Sequence, residues 1–182
     1  PLQAGIVVEV DASRVVIDKA SLASQVAGRY CSLWRATGLP AQGAIPTTAA
    51  ACTNATLGGI QFAQQTAPAT SYIGTFNAVG SNNAFTLEVH DRLAHRGGLV
   101  LNVTTAQAVD LDLDLLSIPA DRIGDPTYGD VQCWLEVYTD GGATASNATI
   151  NVTFDDNTDA DVSVLAVGGT IRAGNMFGID AQ

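Results

Sequence analysis

From residue 57 onward, the sequence alternates between short strand-like runs and clusters of turn-forming residues. Runs rich in Val, Ile, Thr and aromatic side chains that end at Gly, Asn or Asp are typical of strands in antiparallel sheets. The turns are supplied by clusters such as A-P-A-T, V-G-S-N-N, H-R-G-G, D-G-G and D-D-N-T. The strands predicted in this way cover 59–63, 71–79, 84–90, 98–104, 108–116, 130–139, 145–154 and 161–167, with a tail around 170–179. About eight short strands of this kind predict a mainly β domain, either an antiparallel β-sandwich or a jelly roll.

The strand predicted at 145–154 contains N-A-T-I-N-V-T-F, in which apolar and polar residues alternate. Its apolar face would carry Ala148, Ile150, Val152 and Phe154. Its polar face would carry Asn147, Thr149, Asn151 and Thr153. Two glycosylation sequons fall on that polar face, and Asn54 and Asn102 begin two more, so the motif recurs here through composition alone. We therefore interpret the sequons as a strand face and not as a sign of a glycoprotein.

The strand predicted at 130–139 combines an apolar face with an amphipathic, aromatic one. The apolar face carries Val131, Cys133, Leu135 and Val137. The opposite face carries Gln132, Trp134, Glu136 and Tyr138. Because large aromatic faces are rarely left uncovered, we expect a neighbouring segment or subunit to lie on this one.

Two acidic runs are candidates for a cation site. The run D-D-N-T-D-A-D at 155–161 has oxygen-bearing side chains at alternate positions, but Ala160 and Ala166 stand where a calcium loop has Gly and Glu. We interpret this run as a hairpin turn, because Asp and Asn tolerate left-handed geometry and hydrogen-bond their own backbone. A second row, interpreted as the solvated edge of a strand, consists of Asp110, Asp112 and Asp114. Cation binding at either run stays open, and the sequence predicts no metal site and no cofactor.

Residues 1–56 are predicted to form an N-terminal arm that precedes a β-sandwich domain at 57–182. The β-branched runs at 6–10 and 15–17 suit a hairpin or an extended arm. Asp18 then suits the N-cap of one short helix, K-A-S-L-A-S-Q-V-A, which would end at Gly28. Glycines and prolines exclude a regular helix over 28–56, so an extended segment is expected there. Its aromatic and apolar anchors would be Tyr30, Leu33, Trp34, Leu39 and Ile45.

Composition excludes several classes of partner. Only 14% of residues are charged, and 18 acidic side chains against 8 basic ones give a net charge of −10. A chain so poor in Lys and Arg cannot build a surface for nucleic acid phosphates or for anionic membranes. No apolar run approaches the roughly 18 to 20 residues that span a bilayer. The cysteines are odd in number and lack C-x-x-C spacing, so we expect reduced, buried thiols at Cys31, Cys52 and Cys133.

The densest group of ionisable side chains lies in E-V-H-D-R-L-A-H-R at 88–96. It contains His90, Asp91, Arg92, His95 and Arg96. A His–carboxylate pair can orient a base, and a cysteine can act as a nucleophile. However, the chain contains no G-x-S-x-G elbow, no H-E-x-x-H and no phosphate-binding glycine loop. We therefore predict a strand end and turn whose arginines offset the acidic surface, and a protein that is not an enzyme.

Three blocks of sequence resemble a group of small tailed-phage virion structural proteins of the capsid decoration, or cement, type. The blocks are Y-C-S-L-W-R-A-T-G-L-P-A-Q-G-A-I-P, H-D-R-L-A-H-R-G-G-L and V-Q-C-W-L-E-V-Y-T-D-G-G-A-T, within residues 28–145. The resemblance implies a β-rich protein on the outer surface of a capsid, with the major capsid protein as partner and a trimer as its own assembly. It supplies no active site, and the segment before Arg29 has no counterpart in it.

The function expected on this basis is non-enzymatic: the protein would stabilise a phage head by bridging neighbouring major capsid subunits. Two alternatives stay open, a tail or fibre module that binds a host surface glycan and a secreted β-sandwich lectin or enzyme. We expect the interface with the capsid to involve Tyr30, Trp34, Arg35, Leu39, Pro40, Ile45, Trp134 and Tyr138. Plain packing within the chain is the alternative for each of these residues.

Overall fold

The computed structural model describes residues 15–61, 66, 68, 76–80, 85–154, 156–168 and 171–179. Within these ranges the protein is mainly strand, with one short α-helix. The strands are β1 (Asp18–Lys19), β2 (Tyr30–Cys31), β3 (Gly38–Leu39), β4 (Ala50–Ala51), β5 (Ala94–His95), β6 (Cys133–Glu136), β7 (Ala145–Thr153), β8 (Asp159–Gly168) and β9 (Asn175–Ile179). The helix α1 covers Ala120–Ile123, and a single 3-10 turn covers Asp114–Leu116.

The strands of the described ranges pair into four small antiparallel sheets. β1 pairs with β3, β4 pairs with β5, and β7 pairs with β8. The fourth sheet, which we call the central sheet, has the order β2–β9–β6. The prediction of a mainly antiparallel β protein is therefore confirmed. The four sheets do not close on one another within the described ranges, so a sandwich or jelly roll is not part of the observed architecture.

The central sheet carries the small apolar core of the described residues. Leu135 of β6 lies opposite Phe177 of β9, and both pack against buried Val137 and Ile171. Ala148 of β7 reaches the same cluster, which connects the β7–β8 hairpin to the central sheet. β6 and β9 fall inside the strands predicted at 130–139 and 170–179, so both predictions are confirmed.

The β7–β8 hairpin agrees with its prediction in both strands and in the turn. Ala148, Ile150 and Val152 are half-buried while the Asn and Thr residues between them are exposed, which is the predicted alternation. In the turn, the Phe154 amide donates to the Thr158 carbonyl at 2.9 Å. Asn157 adopts a left-handed φ of 62°, which Asn tolerates better than most residues. Residues 156–158 of the run D-D-N-T therefore lie in a hairpin turn, and Asp155 lies outside the described residues.

The helix predicted after Asp18 is wrong. Asp18 and Lys19 form strand β1 and pair with Leu39 and Gly38 of β3. The Lys19 ammonium also donates to the Ala36 carbonyl at 3.2 Å, which holds it against the returning chain. A helix of this length is marginal in isolation, so tertiary pairing decides the conformation. The observed helix α1 instead follows Pro119, in a segment for which no helix is predicted.

Three further strand predictions, at 84–90, 98–104 and 108–116, are wrong where the structure describes them. In the last of these, the Asp112 carboxylate accepts hydrogen bonds from the amides of Asp114 and Leu115 at 2.9 and 3.3 Å. An aspartate that bonds the backbone ahead of it favours a tight turn over a strand, and here it supports the 3-10 turn. The predicted strands at 59–63 and 71–79 are also not formed at 59–61 and 76–79. Their remaining residues, and the run at 6–10, lie outside the described residues.

The segment 28–56 does not run as one extended arm, because the chain turns back on itself. Strand β2 joins β9 in the central sheet, with Tyr30 opposite Met176. The chain then bends, and the Gly43 amide donates to the Trp34 carbonyl at 2.9 Å. The indole Nε1 of Trp34 donates to the Ala44 carbonyl at 3.0 Å, which secures the bend. This segment is thereby built into the sheets of its own chain, and the boundary at residue 56 stays a prediction.

Candidate functional site

A charged and aromatic cluster lies between the bend at Trp34 and strand β6. We call it the Trp34 cluster; it consists of Trp34, Arg92, His95, Glu136 and Tyr138. The Arg92 guanidinium lies 4.3 Å from the centroid of the Trp34 ring, and its Nη2 donates to Glu136 Oε2 at 2.6 Å. The His95 ring meets Trp34 edge-on at 5.2 Å. The β4–β5 pairing holds His95 in place, because it sets His95 opposite Ala50.

Burial and charge compensation set the electrostatics of the Trp34 cluster. Only 6% of the Glu136 side chain is exposed, and Glu136 Oε2 also accepts a hydrogen bond from the Tyr138 hydroxyl at 3.2 Å. Burial, followed by the Glu136 charge, raises the pKa of Tyr138 to about 12. Burial, followed by the Arg92 charge, lowers the pKa of His95. At neutral pH the cluster therefore contains one buried ion pair, Arg92–Glu136. The neighbouring His95 and Tyr138 are both neutral.

Within the ionisable run at 88–96, His90 pairs with Glu88 and not with its neighbour Asp91. His90 Nε2 lies 3.1 Å from Glu88 Oε2, whereas Asp91 is held by Arg122 through two hydrogen bonds of 2.8 and 2.6 Å. Burial raises the pKa of Cys52, so this thiol stays protonated near neutral pH. Arg92 of this run offsets buried Glu136, and Arg122, which lies outside the run, offsets Asp91.

An open groove of about 370 Å³ lies at the start of β6, beside Cys133 and Trp134. We call it the Tyr30–Trp134 groove; the residues that line it are Tyr30, Glu88, His90, Gln132, Cys133, Trp134 and Gly178. The rings of Tyr30 and Trp134 meet edge-to-face with centroids 5.4 Å apart. The Tyr30 hydroxyl donates to Glu88 Oε1 at 3.4 Å, so Glu88 is held from both sides, by Tyr30 and by His90.

The eight predicted interface residues occupy different surroundings. Tyr30, Leu39 and Ile45 are exposed by 53%, 59% and 37%. The half-buried members are Arg35, Pro40, Trp134 and Tyr138. Trp34 is only 7% exposed and packs within its own chain, which favours the core-packing alternative for this residue.

The structure places four of the predicted interface residues at two sites. Tyr30 meets Trp134 in the groove, while Trp34 and Tyr138 belong to the Trp34 cluster. Sequence reasoning missed Glu88, which lies in the groove, and the ion pair of the Trp34 cluster. The signal available in the sequence was the position of Glu136, which lies between the two aromatic residues of an alternating strand.

The cysteines are free, and Cys52 is buried as expected. Cys31 is half-buried, and Cys133 is exposed because it begins β6 at the end of the central sheet. The prediction of a buried thiol is therefore wrong for Cys133.

Among the described residues, no group of three or more His, Cys, Asp or Glu side chains is placed to hold a metal ion. The same part of the chain contains no helix that is both long and apolar enough to cross a membrane. No protein family, no curated protein and no solved structure matches this chain.

Proposed function

We propose that the chain is a non-enzymatic structural subunit of a phage virion that decorates the outer surface of the capsid. In this role it bridges neighbouring major capsid subunits and assembles as a trimer. The resemblance of residues 28–145 to capsid decoration proteins motivates the proposal. We also propose that the small sheets pack into a sandwich or jelly roll in the assembled capsid. Contacts with partner subunits would then hold the sheets against one another.

The observation that carries the proposal is the balance between buried and exposed apolar side chains. In the described part of the chain six apolar residues are buried, whereas 22 large apolar residues are exposed by 37% or more. Ten of the exposed residues fall between Phe85 and Leu115. Exposed apolar side chains that lie close together mark interaction surfaces in folded proteins. A subunit that buries much of its surface against neighbours accounts for this balance.

The charge of the chain supports the same conclusion. The net charge of −10 suits an outer capsid face, which lies away from the packaged DNA.

A binding experiment with matched leucine variants tests the proposal. Purified protein is mixed with phage heads that lack it, and the bound fraction is measured by sedimentation. Leu39 is a predicted contact and is 59% exposed; Leu57, outside the predicted contacts, is 49% exposed and serves as the control. Burying one leucine contributes about 1.5–3 kcal/mol. We expect Leu39→Ser to weaken head binding by about tenfold or more and Leu57→Ser to leave it unchanged.

The outcomes separate the parts of the proposal. Equal binding by the two variants would contradict the assignment of Leu39, and a wild-type protein that does not sediment with heads would contradict decoration itself. Immunogold labelling of intact virions gives an independent readout. Gold over the heads supports decoration, whereas gold at the tail tip supports a tail or fibre module.

A further inference from the structure

We propose that the Tyr30–Trp134 groove binds one or two rings of a neutral saccharide. This inference goes beyond capsid decoration and rests on the groove alone. Trp134 lies directly opposite Gly178 in the pairing of β6 with β9. Directly opposed residues share a face of an antiparallel sheet, so a larger residue at Gly178 would stand beside the Trp134 ring. Gly178 itself lines the groove, and its lack of a side chain leaves room next to the indole.

The second aromatic residue completes this face. Tyr30 of β2 lies opposite Met176, two residues before Gly178 on β9. Residues two apart on a strand point to the same side, so Tyr30, Gly178 and Trp134 share one face of the central sheet. The two rings meet at an interplanar angle of 69°, so they form two adjoining walls of the groove and do not face each other in parallel.

Polar groups line the groove beside the rings. His90 and the Tyr30 hydroxyl each occupy one oxygen of the Glu88 carboxylate, at 3.1 and 3.4 Å. A carboxylate has about four acceptor positions, so both oxygens can still accept a hydroxyl from a ligand. The Gln132 amide adds both a donor and an acceptor to the lining. The groove therefore offers an oriented acceptor and a two-way hydrogen-bonding group next to an aromatic surface.

These features select one class of ligand. A pyranose ring has C–H groups, which suit the electron-rich face of an aromatic ring, and hydroxyls, which suit a carboxylate and an amide. An anionic ligand would be repelled by Glu88 and by the net charge of −10. A purely apolar ligand would leave the Glu88 carboxylate desolvated and without a new partner.

A cationic amine fits less well than a sugar. Such a ligand is best held over the faces of aromatic rings, whereas Tyr30 and Trp134 meet edge-to-face. His90 already competes for the Glu88 carboxylate. The volume of about 370 Å³ lies near the small end of the usual range for ligand pockets, which suits a ligand of one or two rings.

The test uses neutral disaccharides: maltose, cellobiose, lactose and N,N′-diacetylchitobiose. Binding is measured by saturation-transfer NMR and by tryptophan fluorescence. Gly178→Val places a branched side chain beside Trp134 in the groove while keeping a residue type that strands favour. Gly142→Val is the matched control, because a side chain added at Gly142 meets no atom within 4 Å. We expect a saturable signal from at least one disaccharide in wild type and Gly142→Val, and a loss of at least tenfold in affinity in Gly178→Val.

A second variant covers the possibility that Gly178→Val fails to fold. Because Glu88 is exposed, a substitution there should not disturb folding. Glu88→Gln keeps the shape of the side chain and removes only its charge. We expect its affinity for the bound disaccharide to fall about fivefold or more, which is the effect of a weakened charge-assisted hydrogen bond.

Several results would overturn the proposal. They are the absence of a saturable signal from all four disaccharides in the wild-type protein, and a signal that the groove variants leave unchanged. Loss of head binding in Gly178→Val without any sugar signal in wild type would assign the groove to a protein contact instead. The Leu39→Ser experiment lies outside the groove, so it can fail or succeed independently of this one.

Discussion

Removing the charge of Glu136 is expected to destabilise the protein strongly. Glu136→Gln keeps the size of the side chain and an oxygen for Arg92, so the change removes only the negative charge from the Trp34 cluster. The Arg92 guanidinium then faces the Trp34 ring at 4.3 Å without an anion to neutralise it. With the Glu136 and Arg92 side chains only 6% and 24% exposed, water screens little of this loss.

The expected magnitude follows from the burial of the pair. Removing one partner of a buried ion pair costs about 3–5 kcal/mol. Because Gln retains a neutral hydrogen bond, we expect the low end, about 3 kcal/mol in the free energy of unfolding. For a chain of this size, each kcal/mol lowers Tm by about 2–4 °C, so Tm should fall by about 6–12 °C.

The assay is equilibrium unfolding in urea, with the stability taken from the midpoint and the slope. Asp91→Asn is the matched control, because the Arg122–Asp91 and Arg92–Glu136 ion pairs have the same N···O distance of 2.6 Å. Asp91 is 55% exposed, so its loss should cost less than about 1 kcal/mol. Equal losses in the two variants, or a Glu136→Gln variant within about 0.5 kcal/mol of wild type, would refute the reasoning from burial.

Two further predictions concern packing and pH. Gly43→Ala would place a methyl group in the space of the Trp34 indole, so thermal melting should show a loss of about 1–3 kcal/mol, whereas Gly142→Ala should stay near wild type. His95 has a folded pKa below its ordinary value of 6.5, so its contribution to stability is present above pH 6.5 and is lost as the pH falls towards the folded pKa. Urea midpoints should therefore decline less between pH 7.5 and 5.5 in His95→Gln, and parallel pH profiles would contradict this.

The accuracy of the sequence-based predictions depended on the range of the interactions involved. The β7–β8 hairpin was predictable because its alternation and its turn chemistry are local, with Asn157 at the left-handed position. The D-L-D-L-D-L run has equally regular alternation, yet it forms no strand in the structure. There the Asp112 side chain bonds the backbone of the next turn, and no neighbouring strand supplies a competing pairing within the described residues.

The candidate sites were predictable only in part, because each joins segments far apart in the chain. Tyr30 and Trp134 were both expected at a surface, but their contact depends on β9, which lies between β2 and β6 and pairs with both. The position of Gly178 opposite Trp134 depends on strand register, which a sequence without its partner strand does not specify. Trp34 was expected at an interface, whereas the bend at Gly43 places it inside the chain.

The sequence by itself determined the mainly antiparallel β class, the hairpin with its turn, the presence of strands within 130–139 and 170–179, and the acidic, lysine-poor surface. These properties depend on residue composition and on contacts between near neighbours. Only the tertiary structure decided that Asp18 and Lys19 form a strand, that Arg92 pairs with Glu136, and that an aromatic groove opens beside Gly178. Each of these depends on which distant segments meet, and that choice is made by burial and pairing free energies that no local pattern contains.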